Sequence, residues 1–230
     1  MEMQTAVLVG FYIIILIYSI IVHEVMHGFV ALWLGDSTAK YSGRLNFNPL
    51  KHIDPWGSII VPLVMIFSTG FAFGWAKPVP YNPYNLKNQK WGPALVALGG
   101  PLSNILIALV FALIAHLIAI PTTIKMAIIE NFNQWGSVSN LITGSFASIF
   151  FEISVVVIFW NVLLAFFNLI PFPPLDGSKL LFSIIPVKME TMVLLEQYGF
   201  LMLLFFIFLF AGPLGAFLNL MLNIFFGLTL

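Results

Sequence analysis

Residues 16–34 read LIYSIIVHEVMHGFVALWL, and the run His23-Glu24-Val25-Met26-His27 is set there in otherwise apolar sequence. Two histidines four apart stack on one face of a helix about one turn from each other, the spacing two imidazoles need to share one zinc ion. Glu24, next in line, can reach a zinc-bound water and act as general base while the metal polarises a scissile carbonyl. A lone histidine on an apolar face is ordinarily a hydrogen-bonded core residue. Here three ionisable groups fall within a segment that is otherwise apolar from 6 to 34. Each is expensive to place in hydrocarbon without a partner, which favours the metal reading.

Composition decides what surrounds that run. With 60% of residues hydrophobic and only 8% charged, the chain lies outside the range of a soluble domain and reads as an integral membrane protein with lipid as its solvent. Net charge is zero and no long basic run occurs, so nothing points to nucleic acid as a partner. The chain has no cysteine, which excludes thiol nucleophiles, disulfides and Cys-ligated zinc. Any metal must be held by His, Asp or Glu. The opening MEMQTA lacks the positive n-region of a removable signal peptide.

The elements that must position the run follow in order. The first helix, 6–34, exceeds the roughly 20 residues that span a bilayer, so it tilts or protrudes. His27 then lies about 10 Å from its end at roughly 1.5 Å per residue, submerged but near one face. Gly35-Asp36-Ser37 breaks the helix. Alternation through Tyr41, Gly43, Leu45 and Phe47 predicts a short strand or hairpin beside the metal, whose edge could hold an extended peptide; an ordered loop is the equal alternative. His52 and Asp54, in a turn rich in Pro and Gly, are expected to structure that loop or support the ligands from behind. Residues 57–74 are apolar but interrupted, 93–120 and 142–170 are clear spans, and 193–230 divide at Gly212-Pro213 into two segments of marginal spanning length.

Basic residues orient these segments. Lys40, Arg44, Lys51, Lys77, Lys87, Lys90, Lys179 and Lys188 fall in three connections, whereas 121–140 carries only Lys125. The positive-inside tendency places the first three at the cytoplasm. Both flanks of 57–74 then lie on one side, so that stretch is expected to re-enter rather than cross. Zinc in a hydrolytic site takes three protein ligands and keeps one position open. Of the acids Asp54, Glu130, Glu152, Asp176, Glu190 and Glu196, Asp176 fits best, at the cytoplasmic end of a span after the helix-breaking Pro-Phe-Pro-Pro of NLIPFPPLDG. Unwound backbone at membrane depth is tolerated where it lines a cavity.

HEVMH at 23–27, GGPLSN at 99–104 and NLIPFPPLDG at 168–177, in that order, resemble the site-2 proteases, intramembrane zinc metalloproteases; GWAKPVPYNP at 74–83 is similar to the small members. The resemblance covers a catalytic core of about three helices. It implies zinc held by His23, His27 and Asp176, with Glu24 as catalytic base. Asn104 and Asn168 fall on the family's motif asparagines, which implies donors to the substrate backbone or to the oxyanion; interhelical hydrogen bonding is the plainer role for an intramembrane asparagine. Neither a PDZ-like insertion nor a nucleotide-sensing appendage is present, so the sequence leaves substrate choice open.

The expected architecture is an all-α polytopic membrane protein: three core transmembrane helices, a re-entrant segment, short β elements near the active site and two C-terminal membrane helices. It forms one metalloprotease domain over 1–230, with a catalytic core at 6–178 and C-terminal membrane segments at 193–230. The expected partners are a transmembrane protein or peptide substrate and membrane lipid. The expected place is the plasma membrane of a prokaryote, with the active site near the cytoplasmic face. The alternatives are a metal-binding membrane protein and an ion or proton transporter. Transport predicts ionisable groups spread through the bilayer, whereas these cluster at one depth and only His116 stands apart, near the far end of its span.

Overall fold

The computed structural model describes residues 3–69, 74–132, 145–185 and 187–230. Among them the regular elements are helices: α1 (Met3–Trp33), α2 (Thr38–Tyr41), α3 (Val61–Thr69), α4 (Gly92–Leu117), α5 (Thr122–Asn131), α6 (Phe146–Asn168), α7 (Asp176–Ile184) and α8 (Met189–Gly227). Four stretches are long and apolar enough to cross a membrane, Val9–Trp33, Gly92–Leu117, Phe146–Asn168 and Gln197–Gly227, with mean hydropathy from 2.1 to 2.5. This is a multi-pass membrane architecture. A helix satisfies its backbone internally, so runs of this length need no water to stay folded in lipid.

Helix α4 is the hub, packed against α1, α6, α7 and α8. Its buried stripe is built from small residues, Ala94, Ala97, Gly99, Gly100, Ala108, Ala112 and Ala115. Small side chains let backbones approach where no hydrophobic drive separates helix from lipid, so van der Waals contact takes its place. The apolar core sits in one half of the bundle, where Ala108, Ala112 and Ala115 of α4 meet Ile128 of α5, Phe151, Val155, Ile158 and Val162 of α6, and Phe225 and Phe226 of α8. The other half, where α1 crosses Gly99 and Gly100, carries His23, His27 and Asn104.

Two polar anchors tie the ends. Asp36, fully buried just after α1, accepts from the Thr38 amide, the Thr38 hydroxyl, the Asn82 amide and the Asn85 side chain. Burial alone would raise its carboxyl, but these donors outweigh it and hold the group below the usual carboxylate range. Lys125 of α5, also buried, donates to the carbonyls of Ala115 and His116 in the last turn of α4 and of Thr229 just beyond α8. Desolvation lowers its pKa. The ring of His116 is exposed at that end of α4.

Three expectations need correction or limit. No strand occurs among the described residues. The alternation at 41–47 is instead the end of α2, where Arg44 N–H bonds Ala39 O and Gly43 takes φ +64. The glycine was a helix stop, because only a residue without Cβ adopts that left-handed conformation freely. The two C-terminal segments run on as one apolar stretch, α8, whose two helical parts meet at a kink where Phe210 is non-helical, φ −111 and ψ 20. Pro213 lacks an N–H and its ring crowds the preceding turn, which bends the helix without ending it. Residues 55–60 form a π-helical turn that runs into α3, an apolar helix shorter than a membrane span, where the expected re-entrant segment lies. Residues 70–73 lie outside the described residues, as do 133–144 of the connection after α5.

Candidate metal centre

The site is assembled where α1, α4 and the start of α7 meet. His23 and His27 lie on one face of α1, their rings edge-on with centroids 4.7 Å apart. Asp176 is the first residue of α7, delivered by the Pro171–Pro174 break that ends the α6 connection. Its Oδ2 is 3.0 Å from His23 Nε2 and 3.3 Å from His27 Nε2. The three ligand atoms all lie within 4.8 Å of one another. Two imidazole nitrogens and a carboxylate oxygen are a zinc-type donor set with a coordination position to spare. Gly100 provides the space: a Cβ there would stand 2.6 Å from His23 Nε2 and 2.6 Å from His27 Nε2. The residues present therefore fit a zinc ion.

The far side of each ring decides whether its Nε2 can bind. His27 Nδ1 lies 2.7 Å from Val96 O, an acceptor only, and 3.3 Å from the Gly100 N–H; the shorter contact favours the proton on Nδ1, which leaves the lone pair on Nε2. For His23 the same answer comes through a chain of amides. Asn161 Nδ2 donates to Val157 O and to Ser19 Oγ, which turns its Oδ1 toward Asn104. Asn104 Nδ2 donates to that Oδ1 at 2.6 Å and to Ser19 O at 3.2 Å. Its own Oδ1 is left facing His23 Nδ1 at 2.6 Å. Two backbone carbonyls thus pin both amides, and His23 must be protonated at Nδ1. Such outer partners fix the tautomer and aim the ring of a metal-binding histidine.

Asn104 therefore has a different place from the substrate-facing one implied by the resemblance: it is fully buried, and both of its amide protons are already donated. Asn168 donates to Leu164 O one turn back on α6, and no recorded bond ties it to the three ligand groups. Sequence reasoning missed Asn161 and Ser19. A signal existed for Asn161, a lone amide inside the apolar run of α6, since polar groups at that depth need a partner. Asn161→Leu should keep the fold but leave Asn104 free to turn. Zinc affinity, measured by competition with a chelator, is expected to fall about 10- to 100-fold.

Glu24 is half-buried beside the two histidines and outside the three-group cluster. Its Oε2 accepts the Val79 N–H at 3.0 Å, and Oε1 takes no hydrogen bond among the described residues. His52 and Asp54 structure their loop: His52 Nε2 donates to Asn46 O, and Asp54 Oδ1 accepts the Gly57 amide at the start of the π-helical turn. Glu152, buried in α6, lies 3.0 Å from the Tyr12 hydroxyl, away from the ligand set.

The sequence profile of peptidase family M50 matches residues 11–212. YwhC of Bacillus subtilis (strain 168), which is named as a zinc metalloprotease, is 34% identical over 212 residues, covering 91% of this chain and 84% of that one. Rip2 of Mycolicibacterium smegmatis, named in the same way, is 30% identical over 103 residues, 44% of this chain and 39% of that one. No solved structure matches significantly.

Proposed function

Because the chain belongs to peptidase family M50, we propose that this intramembrane zinc metalloprotease cuts peptide bonds within or beside transmembrane segments, with zinc held by His23, His27 and Asp176 and Glu24 as general base. The observation that carries the assignment is the convergence of two Nε2 lone pairs and the Asp176 carboxylate on one point, with each imidazole's other nitrogen already committed. Zinc bound there supplies a Lewis acid for the scissile carbonyl and lowers the pKa of its water to about 7.

The chain's own residues do the rest. The Oε1 of Glu24 takes a proton from the attacking water and delivers it to the departing amine nitrogen, while Oε2 stays on the Val79 N–H. Asn104 and Val96 keep the two rings from rotating as charge builds. A hydrogen-bonded helix hides its carbonyls, so the substrate must unwind locally before it reaches Glu24. An apolar groove of about 450 Å³, lined by Ile13, Ile17 and Ile20 of α1 and by Pro62 and Trp75, supports entry from the lipid side. Ile20 and Glu24 are four apart on α1, so the groove and the base share one helix face.

One domain spans 1–230, with the catalytic core at 6–178. The stretch 57–74 dips into the bilayer and returns; the Trp75 amide bonding Gly57 O supports this by setting the two ends side by side. The protein sits in a prokaryotic plasma membrane with the ligands near the cytoplasmic face, and the basic residues of the 35–91 connection support that orientation. Lys87→Cys and Glu130→Cys test it, since the chain has no native thiol. Impermeant reagent outside intact cells should label position 130 and spare position 87; the reverse pattern overturns the orientation.

The activity itself is tested with detergent-purified protein and an unstable transmembrane helix as substrate. Cleavage is expected to stop on chelation and to return on adding zinc. Cleavage that persists after the metal is removed and assayed absent would exclude this mechanism.

A further inference from the structure

Arg44 is buried in a way that stability alone does not explain. The residue is 7% exposed, yet among the described residues no ion pair includes it and its Nε has no hydrogen-bond partner. A buried cation without an acid and with one donor unsatisfied is costly, and such groups call for an account. What Arg44 does hold is backbone. Its Nη1 donates to Lys51 O at 2.6 Å, and its Nη2 to Lys77 O at 2.5 Å and Pro78 O at 3.3 Å.

The next residue after those two carbonyls is Val79, whose N–H is the donor on Glu24 Oε2. Val79 lies between Pro78 and Pro80, neither of which has an N–H, so this amide is the sole donor that 78–80 can offer. A second observation locates the same contact from the α1 side. A Cβ on Gly28, one turn beyond Glu24, would stand 2.8 Å from Val79 Cγ1 and 2.6 Å from Leu45 Cδ2. The bare glycine thus lets the Arg44-Leu45 turn and the extended chain at Val79 close together onto the helix that carries the base.

We propose that Arg44 is a positioning residue for Glu24: by clamping the carbonyls of Lys77 and Pro78 it holds the Val79 N–H on Oε2, fixing the carboxylate with Oε1 presented to the reacting water. The planar guanidinium suits the task because two separate NH₂ groups grip two loops at once; a lysine ammonium, a single point on a flexible stem, does not. The clamp touches neither zinc ligand nor substrate. It acts on the rate of proton transfer rather than on metal binding.

The proposal rests on Glu24 as general base, and the test separates the two. Arg44→Lys, Gly28→Ala and Glu24→Gln are each measured for kcat and KM on a transmembrane helix peptide, for zinc per chain, and for amide hydrogen exchange of the peptide containing Val79 in the zinc-free protein. Arg44→Lys should lower kcat about 10- to 100-fold, as loss of an outer positioning contact does, with KM and zinc content unchanged and the Val79 amide exchanging faster. Gly28→Ala, with Arg44 intact but Val79 displaced, should reproduce the kcat loss and decides the matter if Arg44→Lys does not accumulate. Unchanged kcat in the folded variants, or unaltered exchange at Val79, overturns the clamp. So does a kcat loss that tracks lost zinc, which would make Arg44 merely structural. Full turnover by Glu24→Gln instead removes the base assignment; a dead Glu24→Gln beside a fully active Arg44→Lys removes only the clamp.

Discussion

Glu24→Gln should bind zinc as the parent does and lose turnover by about 10²- to 10⁴-fold, the range over which a positioned general base contributes. The substitution is nearly isosteric. The Gln carbonyl can still accept the Val79 N–H in place of Oε2, so the contact that seats the side chain survives. Glu24 stands outside the three-group cluster, so the metal keeps its ligands. What disappears is the one oxygen with no bonded neighbour, Oε1, replaced by an NH₂ that cannot take a proton. The loss should therefore fall on kcat, with KM close to the parent's. Steady-state cleavage together with metal analysis checks both halves, and cleavage at the parent's rate would contradict the assignment.

Asp176→Ala should instead lose the metal. On the proposed assignment it removes one of three protein ligands, so the fall in zinc affinity should exceed the roughly 10- to 100-fold typical of losing an outer partner. The fold has reason to persist, because α7 is held against α4 by its own packing and Gly177 and Ser178 are buried beside the site. A chelator-competition titration measures the change, and circular dichroism shows whether the helices remain. Cleavage should vanish in proportion to zinc occupancy. Retention of parent-like affinity would place the third ligand elsewhere, and among the described residues no other acid joins the two histidines in such a group.

The parts of this site that were legible in the sequence are those set by local geometry. His23 and His27 had to share a face once 6–34 was read as a helix, because four residues are close to one turn. Asp176 was legible because a proline-rich break at a span's end is where irregular backbone and a carboxylate can meet a cavity. Arg44 and Asn161 were not. Each acts through partners far away in sequence, Lys77 and Pro78 for one, Asn104 and Ser19 for the other, and no periodicity encodes such pairs. Asn104 was found with two tasks open, since an amide can donate or accept and only its neighbours decide which.

The fold divides the same way. Four spanning helices follow from apolar runs of sufficient length, a property of the sequence itself. Two elements turned on a punctuating residue. Gly43 in an alternating stretch could mark a strand or stop a helix, and Pro213 could end a span or only kink it; the backbone bond from Arg44 to Ala39 settled the first, and near Pro213 the two helical parts of α8 meet at the Phe210 kink.

The most direct test of the central claim is zinc stoichiometry and cleavage measured together on purified parent, Glu24→Gln and Asp176→Ala protein, with an unstable transmembrane helix as substrate. The parent should hold one zinc per chain and cut, Glu24→Gln should hold one zinc and not cut, and Asp176→Ala should do neither. A parent that cuts without zinc, or an Asp176→Ala variant that binds and cuts like the parent, would contradict a hydrolytic zinc held by His23, His27 and Asp176.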